Sequence, residues 1–82
     1  MAIETLQLLG RVYCHLCHDM EAALAPIVAE FDVAVEVLDV DEDPVLEERW
    51  GELVPVLLHR GKEICHYFLD EPAIREVLAK IR

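Results

Sequence analysis

The hydrophobic period of the chain changes several times along its length. Residues 5–10 (TLQLLG) are short and apolar and predict a buried strand ended by Gly10-Arg11. From His15 the spacing becomes three and four: Leu16, Met20, Ala23, Leu24, Ile27, Val28 and Phe31 form one helical stripe. Pro26 falls inside that stripe, so a kink or weak point is expected about one turn back, near Ala22. Residues 33–40 (VAVEVLDV) are Val-rich with Glu36 and Asp39 interleaved, the pattern of a strand with one more polar face. Asp43-Pro44 reads as an N-cap followed by proline at the first helical position, opening a short helix to Trp50 that Gly51 stops. Residues 54–59 (VPVLLH) predict a third strand with Pro55 at its start. Arg60-Gly61 is a two-residue turn, and residues 62–67 (KEICHY) return as a fourth strand. In simple register His59 would face Lys62, Val56 would face Cys65 and Pro55 would face His66. Pro72 starts the last helix, with Ile74, Val77, Leu78 and Ile81 on one face and Lys80 and Arg82 at its C-terminal end.

The order is β-α-β-α-β-β-α. The first βαβ unit implies a parallel pair with a right-handed crossover, and the hairpin adds an antiparallel pair. Helices on both faces of a four-stranded mixed sheet give a three-layer α/β/α sandwich.

Composition narrows the class. A length of 82 residues predicts one small domain spanning 1–82. A hydrophobic content of 55% argues against disorder. Seventeen Asp/Glu against seven Lys/Arg give a net charge of −10. That field repels phosphate backbones and anionic lipid, so neither nucleic acid nor a membrane is expected as partner. Met1-Ala2-Ile3-Glu4-Thr5 has no basic start and does not read as a signal peptide. The apolar stretches 22–29 and 53–58 are too short to span a bilayer. The expected location is the cytoplasm, where thiols stay reduced unless they do redox or metal chemistry. Three cysteines, an odd number, argue against a fully paired secreted disulfide scaffold.

Cys14-His15-Leu16-Cys17 is the strongest local signal. It falls between the first strand and the first helix. There the free N–H groups and positive dipole end of the helix would stabilise a Cys14 thiolate, the attacking form of the residue. Cys17, one turn on, could resolve a mixed disulfide by attacking Cys14. A C-x-x-C alone is weak evidence, since half a zinc site looks the same; at a strand-to-helix junction of a βαβ unit it is much stronger.

With the C-x-x-C after strand one, the DVDEDP segment, the Val54-Pro55 dipeptide and the Arg60-Gly61 hairpin, nearly the whole chain resembles a glutaredoxin-like protein of the thioredoxin-fold superfamily. It is most similar to a small bacterial group with a CHLC-type motif. The resemblance implies a thioredoxin-like fold and a thiol–disulfide oxidoreductase with Cys14 and Cys17 as its catalytic pair. It implies that Pro55 is cis and faces the redox motif, that Val54 offers backbone groups to an incoming thiol or peptide, and that Arg11 contacts a carboxylate of glutathione, the alternative for Arg11 being a solvated surface residue. No cofactor and no metal are implied. The expected partner is a protein disulfide or a low-molecular-weight thiol. Two departures count against glutathione in that role. The usual C-P-Y-C is C-H-L-C here, and Cys65-His66 stands where glutaredoxins carry a Gly-Gly pair that lets glutathione approach the backbone. The family's following acidic residue has no clear counterpart either, Asp70 lying further on.

His15, Cys65 and His66 are candidate modulators of the pair. His15 could stabilise the Cys14 thiolate when protonated. Cys65 could be a third redox thiol or a metal ligand, or simply a small buried hydrophobe in a strand. His66 could border the cleft, while His18 and His59 read as surface residues. Two rival functions stay open on the residues alone. One is a zinc or iron–sulfur module built from Cys14, Cys17 and Cys65 or His66, weakened because neighbours in a strand point to opposite faces. The other is an interaction module that docks through the acidic segment 39–48.

Overall fold

The structure, a computed structural model, describes residues 4–81. Its elements are β1 (Thr5–Gly10), α1 (His15–Phe31), β2 (Ala34–Asp39), a 3₁₀ turn (Val40–Glu42), α2 (Pro44–Trp50), β3 (Val56–His59), β4 (Lys62–His66) and α3 (Glu71–Ile81). The strands form one mixed sheet in the order β2-β1-β3-β4. β1 runs parallel to β2 and antiparallel to β3, and β3 runs antiparallel to β4. This is the expected βαβ-α-ββα arrangement on a thioredoxin-like α/β fold.

Alternation along the strands sorts the core into two layers. Leu6 and Leu8 of β1, Leu57 of β3 and Cys65 of β4 pack under Met20, Leu24 and Ile27 of α1 and Ile74 and Leu78 of α3. Leu9, Val56 and Leu58 face the other way, against Val40 of the 3₁₀ turn and the half-buried Leu46 and Trp50. Among the described residues no helix is long and apolar enough to cross a membrane.

Several boundaries shift from the sequence pattern for local reasons. α1 continues through Pro26 for 17 residues, with Leu24 and Ile27 buried on either side of it. Burial of that stripe outweighs one missing backbone hydrogen bond. β3 begins at Val56 rather than 54, and β4 ends at His66 because Tyr67 turns the chain with φ of 65°. α3 starts at Glu71, one residue before Pro72, and the Asp70 carboxylate accepts the Ala73 N–H at 3.1 Å. The 3₁₀ turn has no hydrophobic period to announce it; Asp39 Oδ1 accepts the Asp41 N–H there at 2.8 Å. Arg82 lies outside the described residues.

The hairpin register needs correction. Arg60 and Gly61 have φ of 53° and 80°, as a type I′ hairpin requires, and His59 does face Lys62. Beyond that Leu58 faces Glu63 but Leu57 faces Cys65, so Ile64 is an extra residue in β4. Val56 therefore faces His66, not Cys65. A bulge of one residue moves every later side chain to the opposite face. It puts Cys65 beside Leu57 under α1 and α3 instead of beside Val56 under α2.

Candidate redox site

Four segments meet at one end of the sheet. β1 delivers Gly10 there, parallel β2 delivers Asp39, antiparallel β3 starts there after Pro55, and β4 ends there at His66. The β1–α1 connection then carries Cys14 to the start of α1.

Cys14 is the N-cap of α1, with extended backbone. Its Sγ accepts the Cys17 N–H at 3.0 Å, and its carbonyl accepts the His18 N–H at 3.2 Å. A sulfur in this position takes the place of the oxygen of an ordinary N-cap, so negative charge on it meets helix N–H groups. Cys14 and Cys17 form a disulfide with Cα atoms 5.1 Å apart. Cys14 is half-buried, whereas Cys17 is 6% exposed. The packing that hides Cys17 requires Gly10: a Cβ there would stand 2.9 Å from Cys17 Sγ. The chain beside Cys14 is open, with Tyr13 98% exposed.

The Val54–Pro55 peptide bond is cis and Pro55 is fully buried. Val56 faces Leu9, so Pro55 adjoins Gly10 at the redox end of the sheet. Its carbonyl accepts the Tyr67 N–H at 2.9 Å, and the Tyr67 hydroxyl donates to the Glu52 carbonyl at 3.0 Å. These two bonds tie the segment before β3 to the segment after β4. Sequence reading passed over Tyr67 and the neighbouring Phe68, which is 70% exposed; their positive-φ turn has no glycine to mark it.

Arg11 does not stand free. Its guanidinium contacts the Asp41 carboxylate, lies 3.2 Å from Glu47 Oε1 and donates to the Gly51 carbonyl at 2.9 Å. Gly51 has ordinary helical backbone, φ −55°. It is small because a Cβ would clash with the Glu47 carbonyl and stand 2.8 Å from Arg11 Nη2. The expected helix stop is thus also a seat for Arg11, a contact across 40 residues with no local signature. A cavity of about 280 Å³ lies beside Arg11 and Cys17, floored by Leu8, Val37 and Leu38.

The remaining candidates separate. His15 and His18 are exposed on the first turn of α1. His66 Nδ1 is 2.7 Å from Glu63 Oε2, and its ring meets Tyr67 edge-on. Cys65 is 8% exposed within the α1/α3 core. Burial pushes its thiol up, only partly offset by the Asp70 backbone. His59, expected at the surface, has a largely covered side chain that pairs with Glu4 at 2.6 Å, at the far end of the sheet. Among the described residues no group of three or more His, Cys, Asp or Glu side chains is placed to hold a metal ion.

Comparison with known proteins agrees with this geometry. Residues 5–79 match the model of the family described as Glutaredoxin-like domain (DUF836). Uncharacterized proteins of Mycobacterium bovis and Mycobacterium tuberculosis are 28% identical over 85 residues, covering 98% of this chain and 88% of theirs. The solution structure of protein Ne2328 from Nitrosomonas europaea is 34% identical, with a TM-score of 0.83 over 94% of this chain and 93% of that one. A target protein from X. campestris is 36% identical, with a TM-score of 0.73, covering 92% and 96%. Thioredoxin 1 from Thermosipho africanus is 28% identical, with a TM-score of 0.57, covering 94% and 89%. A cysteine pair at disulfide distance on this fold supports a redox role, and the chain belongs to the Glutaredoxin-like domain (DUF836) family of the thioredoxin superfamily.

Proposed function

We propose that the protein is a thiol–disulfide oxidoreductase that cycles Cys14 and Cys17 between dithiol and disulfide. The observation that carries this reading is the position of Cys14, a half-buried sulfur at the N-cap of α1, bonded to the buried Cys17. In the reduced protein the Cys14 thiolate attacks one sulfur of a substrate disulfide and expels the other as a thiolate. Cys17 then gives up its proton and attacks Cys14 Sγ, releasing the second substrate sulfur. Two electrons pass from the protein dithiol to the substrate, each expelled thiolate takes a proton, and a thiol reductant restores the pair. Helix N–H groups hold charge on Cys14 as it makes the first attack. Val54, held by the cis bond to Pro55, supplies the backbone groups along which a substrate would lie. The expected substrate is a protein disulfide or a small disulfide, handled in the cytoplasm.

The test is reduction of a protein disulfide such as that of insulin, with dithiothreitol as donor. Wild type is expected to accelerate it. Cys14→Ser is expected to fall to the rate of dithiothreitol alone, and Cys17→Ser to accumulate a mixed disulfide on Cys14. Full activity in Cys14→Ser would refute the mechanism.

A further inference from the structure

We infer that Arg11 is an internal strut and not an anion receptor, and that the site therefore prefers cationic or uncharged disulfides to anionic ones; this rests on the redox reading above. The guanidinium has its fork filled by Asp41, Glu47 and the Gly51 carbonyl. A substrate carboxylate that sought Arg11 would have to displace a carboxylate already held from within the fold, with no gain in the number of charge pairs.

Nothing nearby replaces the lost cation. The segments 10–20, 39–55 and 66–70 that meet at the redox end hold two arginines and nine Asp/Glu, so their field is negative. The second arginine, Arg49, lies over the Trp50 ring at 5.0 Å. Arg60 and Lys62 belong to the hairpin at the opposite end of the sheet. Arg75 and Lys80 pair with Glu30 and Glu76 around α3. An approaching anion thus meets net repulsion, while a cation is drawn in, an effect that acts on the association step and fades with salt.

Three small disulfides separate the possibilities: cystamine as dication, hydroxyethyl disulfide as neutral reference and dithiodipropionate as dianion. Each oxidises the reduced protein by the same exchange, returning two thiols per Cys14–Cys17 disulfide formed. Rates are taken at pH 8, above the ordinary range of imidazole titration, and divided by those of mercaptoethanol with the same disulfide, which cancels intrinsic reactivity. The expected order is dication, neutral, dianion, spanning about tenfold or more at low ionic strength. The span should collapse in ~1 M salt, where the Debye length is about 3 Å. Asp41→Asn with Glu47→Gln frees Arg11, and is expected to raise the dianion rate relative to the hydroxyethyl disulfide rate of the same variant. Equal normalised rates, or a faster dianion, would overturn the specificity. A dianion rate still low in the double variant would overturn the assignment to Arg11. No reaction even with hydroxyethyl disulfide would instead refute the redox reading itself.

Discussion

On one face of the sheet, α1 and α3 bring Met20, Leu24, Ile27, Ile74 and Leu78 down onto Leu6, Leu8, Leu57 and Cys65. On the other, the seven-residue α2 has no fully buried side chain, and Leu9, Val40, Val56 and Leu58 make a smaller core. That second core is gathered toward the redox end, where Leu9 and Val56 adjoin Gly10 and Pro55. Further from the cysteines the same face turns polar, and Gln7 donates to Glu36 at 3.3 Å. The contrast separates two jobs. The α1/α3 face supplies most of the apolar burial that keeps a small domain folded. The α2 face buries little, but through Val40, Gly51 and the Arg11 seat it fixes the loops that surround the cysteine pair.

Truncation on each face tests that division. Leu24→Ala removes a side chain that is 1% exposed in the middle of the larger core. It is expected to cost about 2–5 kcal/mol, a large share of the roughly 5–15 kcal/mol of a native domain. A shift in the urea midpoint at constant slope would measure it. Leu46→Ala on α2 removes a half-buried side chain. Its expected cost is smaller, about 1 kcal/mol, while its effect on disulfide reduction should exceed that of a stability-matched change on α3. Equal costs at the two positions would show that the faces contribute alike and would break the comparison.

The same contrast explains what the sequence revealed. The α1 stripe, the Asp43-Pro44 start of α2 and the Arg60-Gly61 turn are written in neighbouring residues, so periodicity and turn chemistry expose them. Cys14 and Cys17 were legible because a short motif sat at a recognisable junction. The face of Cys65 was not, because a bulge at Ile64 has no local marker and one extra residue inverts the strand. The Arg11 seat was hidden for another reason. Asp41, Glu47 and Gly51 each have a sufficient local explanation as acidic loop, exposed helix and helix stop, and only the parallel alignment of β1 with β2 brings them to Arg11. Long-range polar contacts of this kind leave no period behind.

The smallest expected effect lies at the end of the sheet far from the cysteines, where Glu4 joins His59 at 2.6 Å and Arg60 at 3.0 Å. Hydrogen bonds from His59, then from Arg60, hold the Glu4 carboxyl below its ordinary range. A carboxyl that ionises more readily in the folded chain stabilises that fold above its unfolded titration point. The contribution disappears as pH falls through the lowered folded value. Wild type should therefore resist urea slightly better than Glu4→Gln at about pH 5.5, and the gap should close toward about pH 3. Because the pair lies at the far end of the sheet, the variant should leave disulfide reduction unchanged at both values. A gap independent of pH would show that Glu4 contributes by shape and not by charge. A change in reduction rate would show that the far end of the sheet communicates with the redox end, and the division between a face that holds the fold and a face that arranges the site would then have to be redrawn.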